Sequence, residues 1–272
     1  MVINLKSFLK YYRMKDWRAY FALGVLGFII AQGFLYPSLG ILLFAIIGVL
    51  LLAFGFSVNN FFDIDEDKEK GEVKNLLIQN KKNFLFSVLP GLLALLLSGY
   101  FGREIFLFVL VSSLIGFFYS APPLRMKSRP FLDLISHGLF AGALIFLFPL
   151  LVFNSELTPF HYLLAFSVFY LSVMLETRNH LEDYQSDFRA GLKTTVCFLG
   201  YKNSENFLKY LIFFYPLVLL SVFFLLPSDF LLPLLILSII FLLLFMFKKN
   251  YRIVDAYAIF SYIIISFVTI YS

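Results

Sequence analysis

The stretch Ile41–Asp67, ILLFAIIGVLLLAFGFSVNNFFDIDED, runs from an uncharged apolar segment, Ile41–Val58, into a dense cluster of carboxylates that begins at Asp63. About 20 apolar residues in a helix cross a hydrocarbon core of roughly 30 Å, so the first part reads as a membrane span and the second as its emergence into water. The rest of the chain repeats this texture. Of its 272 residues 61% are hydrophobic and only 14% charged, with a mean hydropathy of +0.87. Globular chains carry about 25% charged residues, so this composition excludes an ordinary soluble domain. The single cysteine, Cys197, excludes an internal disulfide framework and any multi-thiolate metal centre.

Nine windows satisfy the length and composition of a span: Trp17–Leu35, Ile41–Val58, Phe84–Tyr100, Ile105–Ala121, Phe131–Phe153, Tyr162–Leu175, Leu208–Leu226, Phe230–Phe247 and Ile253–Ile270. The sixth is the shortest. The net charge of +5 is distributed one-sidedly: every Lys and Arg except Arg103 falls before the first span, in alternate loops after it, or, as Arg18 and Lys209, in the span residues next to them. The positive-inside rule therefore predicts a cytosolic N-terminus and an outer C-terminus. The predicted architecture is an all-α, multi-pass membrane bundle of nine helices forming a single domain, 1–272. Residues 1–16 read as an interfacial amphipathic helix with no cleavable signal. Segments 59–82, 119–130 and 176–207 read as cytosolic loops capping the functional site.

The acidic run has a second copy. Asn59, Asp63, Asp67 and Gly71 recur as Asn179, Asp183, Asp187 and Gly191, both N-x3-D-x3-D-x3-G, 120 residues apart with four predicted spans between them. Equal spacing and an even number of spans make this a parallel repeat on one membrane side. On a continuous helix, positions i, i+4 and i+8 form one stripe, so two such stripes are expected to face each other. Gathered carboxylates repel unless cations neutralise them, and a hard divalent ion held by a few carboxylates and substrate phosphates answers that need. A diphosphate with an apolar tail is the ligand this predicts. A solvated helix end explains one acidic run but not two copies with the same Asn, Asp and Gly. Asp65, Glu66, Glu69 and Glu182 lie off the stripe.

Between the copies runs Tyr119-Ser120-Ala121-Pro122-Pro123-Leu124-Arg125-Met126-Lys127-Ser128-Arg129-Pro130. Its prolines break helix and hold three cations on the side of the carboxylates, where they serve either phosphate binding or membrane topology.

These residues, Asn59/Asp63/Asp67, Tyr119 with Pro-Pro and the following cations, and Asp183/Asp187 with Gly191-Leu192-Lys193-Thr194, resemble the UbiA superfamily of intramembrane prenyltransferases over nearly the whole chain. The resemblance implies a helical bundle around a central cavity and two Mg²⁺ ions on a prenyl diphosphate. It also implies transfer of a polyprenyl group to an aromatic or lipid-alcohol acceptor with release of diphosphate. One position departs: some members place Lys four residues after the Tyr, where this chain has Pro123, leaving either Arg125 or Lys127 to take that role.

The expected site follows. Asp63, Asp67, Asp183 and Asp187 are the metal ligands and catalytic carboxylates, with Asn59 and Asn179 as possible neutral ligands. Arg125, Lys127, Lys193 and Arg13 are the diphosphate partners, and Tyr119 is the aromatic residue beside the reacting centre. His180, Glu176 and Asp133 are the titratable groups near the inner edge able to take a proton, while His137 and His161 read as structural. His180 lies one position off the stripe and reads as interfacial. A prenyl diphosphate, a hydrophobic acceptor and the bilayer are the expected partners, with no protein or nucleic acid implied. The rival reading is a transporter with a cytosolic acidic site, disfavoured because carriers place ionisable groups near the midplane. A CDP-alcohol phosphotransferase is excluded by the lack of its D-x2-D-G-x2-A-R run.

Overall fold

A computed structural model of the chain describes residues 11–33, 38–64, 84–153, 156–248 and 250–271. Among them every regular element is helical. The long elements are α1 (Arg18–Gln32), α2 (Leu39–Phe62), α3 (Phe84–Ser98), α4 (Arg103–Ser120), α5 (Leu132–Phe153) and α6 (Pro159–Glu182). Two short helices follow, α7 (Tyr184–Arg189) and α8 (Thr195–Leu199), then α9 (Tyr201–Phe223), α10 (Leu231–Lys248) and α11 (Tyr251–Tyr271).

Eight described helices are long and apolar enough to cross a membrane, so the expected count of nine is not reached among the described residues. The difference is α1, fifteen residues over the predicted first span, and residues 34–37 lie outside the described set. The predicted sixth span is corrected in the other direction. It is α6, 24 residues long, and its polar residues shortened the apolar window because this helix is buried by protein rather than bathed in lipid. A helix enclosed by its neighbours does not need an apolar circumference. Thr158 and His161 form a capping box at its start, with Pro159 in the first turn, which is the structural role expected of His161.

Around α6 pack α5 on one side and α9 on the other. The main apolar core joins them to α10 and α11 through Phe146, Leu164, Val168, Tyr215, Phe241 and Ile265. A second group of helices, α2, α3 and α4, pairs tightly within itself, and α1 lies along α5. The closest approach there occurs at Gly27, where a Cβ would stand 2.2 Å from the Phe146 carbonyl oxygen. Without lipid-excluding hydrophobic forces, small residues of this kind let membrane helices reach van der Waals contact. Within α5 a π-helical turn, Leu139–Ala143, separates the polar end of the helix, bearing Asp133 and His137, from its apolar half.

The expected interfacial helix 1–16 is described only from Tyr11, where the chain forms turns and a short 3₁₀ segment, Met14–Trp17. This segment is tied down rather than floating. Asn60 Nδ2 donates to the Tyr11 carbonyl at 2.8 Å, the Tyr11 hydroxyl bonds Ser87, and the Tyr12 hydroxyl donates to the Phe86 carbonyl at 3.1 Å. Burial, with the neighbouring Tyr11 second, pushes the Tyr12 phenol up to about 12. Because the folded value is raised, this contribution to docking is complete below the ordinary phenol value near 10 and is lost as pH climbs toward 12. Trp17, whose Nε1 donates to the Tyr12 carbonyl at 2.8 Å, is the chain's one tryptophan. Its emission is expected to stay constant to about pH 9 and shift only above about pH 10; a change between pH 6 and 9 would contradict the docking.

Candidate functional site

The two copies of the acidic motif end their helices in the same way. The Asp63 N–H donates to the Asn59 carbonyl at 3.0 Å, and the Asp183 N–H donates to the Asn179 carbonyl at 2.9 Å. Both aspartates then leave helical geometry, at φ −98°, ψ 6° and φ −89°, ψ 2°. The sequence repeat is therefore a repeat of backbone structure. It also corrects the continuous stripe expected from i, i+4, i+8 spacing: in each copy the helix stops at the first Asp. In the second copy the chain restarts as α7, carrying Asp187, and turns at Gly191 with φ +70°, a conformation glycine adopts without a Cβ penalty. Asp67 and Gly71 of the first copy lie outside the described residues.

The polar ends of the helices meet at one end of the bundle. Lys127, 8% exposed, forms an ion pair with Asp63. Asn59 Nδ2 donates to Ser120 Oγ at 3.1 Å. In the second copy Asp187 is buried, whereas Asn179 and Asp183 are exposed. The Lys193 N–H donates to Ser128 Oγ at 3.2 Å, joining the second acidic loop to the basic one, and the Lys193 side chain is exposed. A buried joint fixes the same two loops. Thr195 donates its N–H to Asp133 Oδ2 at 2.6 Å and its hydroxyl to the other oxygen, while accepting the Phe131 N–H at 2.6 Å.

Between these loops lies a cluster that the linear reading did not assemble. Glu176, 8% exposed, accepts the Tyr119 hydroxyl at 2.7 Å on Oε1 and the Asn179 amide at 3.1 Å on Oε2. His180 Nε2 stands 3.2 Å from Oε1, and His137 Nε2 3.4 Å from Oε2. The expectation that His180 is a plain interfacial residue is therefore corrected: it is buried between Glu176 and Asp133, whose Oδ2 is 3.4 Å from Nδ1. One position off the stripe means pointing into the bundle rather than into water. His137, read as structural, also lines this cluster, bonded to Ser172 and 3.4 Å from the Tyr20 hydroxyl. The signal available in the sequence was Glu176 itself, three residues before Asn179 and so on the same helical face.

The remaining expected residues are placed as follows. Tyr119 is buried with its ring 4.9 Å from Phe140 and 6.0 Å from His137. Arg125 occupies a left-handed corner at φ 39°. Arg13 donates from Nε to Asp16 at 2.7 Å and lies 5.2 Å over the Phe56 ring, one turn before Asn59. Phe62, Phe84 and Phe117 form an edge-to-face wall beside Asp63.

Among the described residues no three His, Cys, Asp or Glu side chains converge as a closed metal cage. The donors present at the motifs, Asp63, Asp183 and Asp187 with the two asparagines, are hard oxygen ligands. This set fits Mg²⁺, which retains waters and shares substrate phosphates, better than zinc or another thiophilic ion.

The model of the UbiA prenyltransferase family matches residues 20–261. A digeranylgeranylglyceryl phosphate synthase from Pyrococcus horikoshii is 25% identical over 184 residues, 66% of this chain and 64% of that protein. A lycopene elongase/hydratase from Haloarcula japonica is 28% identical over 176 residues, 63% of this chain and 58% of that one. Each similarity thus spans less than two thirds of the relative's length. Among solved structures, a UbiA homolog from Archaeoglobus fulgidus bound to DMAPP and Mg²⁺ has a TM-score of 0.76 at 24% identity, covering 97% of this chain and 99% of that one. It shares the fold.

Proposed function

Since this chain belongs to the UbiA prenyltransferase family, we propose that it is a membrane prenyltransferase. The reaction is Mg²⁺-dependent transfer of a polyprenyl group from an allylic diphosphate to an aromatic or lipid-alcohol acceptor, with diphosphate as the second product. The observation that carries this reading is the duplicated Asn–Asp helix end, with the same terminating hydrogen bond in both copies, at the end of the bundle where the basic loop packs. The names of the two relatives and the DMAPP and Mg²⁺ of the structural neighbour support the donor class.

Asp63, Asp67, Asp183 and Asp187, with Asn59 and Asn179, would hold two Mg²⁺ ions, which supply positive charge against the departing diphosphate when bound. The chain's own residues do the rest. Lys193 and Arg125 offer donors to the outer phosphate oxygens, and Lys127 is poised to exchange its partner Asp63 for a phosphate. Arg13 sits beside the first motif, one helical turn before Asn59. The Phe62, Phe84 and Phe117 wall and the ring of Tyr119 exclude water from the allylic carbon, whose developing positive charge aromatic faces stabilise. By the positive-inside rule the N-terminus and this end of the bundle are cytosolic, and the C-terminus is outside.

The test is transfer from labelled geranyl and geranylgeranyl diphosphate by the purified protein in lipid, with a panel of aromatic and lipid-alcohol acceptors and the product identified by mass. A prenylated product that disappears on chelation and returns with Mg²⁺ is expected. Turnover that survives chelation would overturn the metal assignment, and failure to bind either donor in the presence of Mg²⁺ would overturn the prenyltransferase reading in favour of a carrier.

A further inference from the structure

The last two residues of α4 touch both copies of the repeat. Ser120 Oγ accepts the side-chain N–H of Asn59, and the Tyr119 hydroxyl donates to Glu176, which accepts the side-chain N–H of Asn179. One dipeptide therefore reaches residues 61 and 57 positions away on different helices, α2 and α6. The α4 and Glu176 side of these contacts is buried, with Ser120 1% exposed, Tyr119 7% and Glu176 8%, whereas Asn59 is half-buried and Asn179 exposed.

A side-chain amide has two ends of opposite character, an oxygen that accepts and an NH₂ that donates. Whichever end is held inward decides which end faces the site. A carboxylate has no proton to give, so Glu176 binds the NH₂ of Asn179 and turns the carbonyl oxygen away from itself. Ser120 holds the NH₂ of Asn59 at the same 3.1 Å distance. Magnesium and calcium take oxygen ligands and reject an NH₂. An asparagine free to rotate presents the wrong end for part of the time and must give up that rotational freedom on binding.

Resting on the proposed function for what approaches the motifs, we propose that Tyr119, Ser120 and Glu176 form a positioning bridge that locks both motif asparagines with their carbonyl oxygens toward the diphosphate–metal site. The bridge also accounts for Tyr119 beyond its ring. Its hydroxyl satisfies one Glu176 oxygen and leaves the other for Asn179, so the α4 end sets the geometry of the second copy through the carboxylate. It sets that of the first copy directly through Ser120. The two halves of the repeat are held to a common reference although they are far apart in the chain. These are positioning residues, acting through the asparagines.

The test reads metal-dependent binding rather than turnover. Calorimetry of inorganic diphosphate on the full-length protein in lipid nanodiscs, repeated over a Mg²⁺ series, gives the Mg²⁺ concentration for half-maximal binding. Ser120→Ala is expected to raise that concentration about 10-fold, the scale found for residues that orient metal ligands, with the unfolding midpoint unchanged and binding restored at high Mg²⁺. Tyr119→Phe, which keeps the ring and removes only the hydroxyl, is expected to shift it in the same direction. A Ser120→Ala protein with the wild-type Mg²⁺ dependence would overturn the bridge while leaving the prenyltransferase reading intact. Wild-type protein that binds no diphosphate at any Mg²⁺ concentration would instead overturn that reading, and the bridge with it. If Ser120→Ala lowers the unfolding midpoint in step with affinity, and Tyr119→Phe leaves the Mg²⁺ dependence unmoved, the residues are packing elements and the proposal is wrong.

Discussion

Asp187→Ala is expected to lower prenyl transfer by about 10²–10³-fold, the cost of removing one electrostatic stabiliser from a preorganised site, while the protein remains inserted and folded. Asp187 is 4% exposed, and two backbone hydrogen bonds close the turn around it. Its N–H donates to the Asp183 carbonyl at 2.9 Å, and its carbonyl accepts the Leu192 N–H at 3.0 Å. Alanine keeps both bonds. Asp63→Ala is expected to lose activity equally but with a stability cost, because it leaves the buried Lys127 ammonium without its carboxylate. The pair is checked by single-turnover transfer alongside an unfolding titration. Wild-type turnover in Asp187→Ala would remove that carboxylate from the site.

Gly27→Ala is expected to destabilise the bundle by about 3 kcal/mol, at the upper end for overpacking of a close contact. The added methyl would sit 2.2 Å from the Phe146 carbonyl oxygen and 2.7 Å from Pro149 Cγ. Neither is the end of a flexible side chain, so relief requires α1 and α5 to separate. Gly48→Ala in α2 is the matched control: nothing lies within 4 Å of its Cβ position, and alanine favours helix by up to about 1 kcal/mol. Unfolding in mixed micelles is expected to rank Gly27→Ala well below wild type and Gly48→Ala at or above it. Equal stability of the two variants would contradict the packing of α1 on α5.

The bilayer environment, the all-helical architecture and most span positions were legible because hydropathy is a local property, summed over about 20 residues without knowing what each faces. The two motif copies were legible for a related reason: a repeat keeps its spacing in the chain wherever it sits in space. Linear reading failed where a residue's surroundings differ from those its neighbours suggest. The polar sixth window looked short, yet it is α6 with Glu176 and His180 on its protein-facing turns. The acidic runs looked like continuous stripes, yet each helix ends at its first Asp, whose φ and ψ leave helical values after a last helical bond to the asparagine carbonyl.

What the sequence alone determined was the chemistry available: oxygen ligands in two copies, cations on the same side and an apolar scaffold, all following from residue type and local periodicity. Only the tertiary structure decided which of these groups meet. Lys127 pairs with Asp63 across 64 positions, Thr195 with Asp133 across 62, and Tyr119 with Glu176 across 57. Helical periodicity predicts partners three or four residues apart. Contacts over these longer separations depend on which helices pack side by side and on the close approaches their small residues permit, neither of which is written in any single window of the chain.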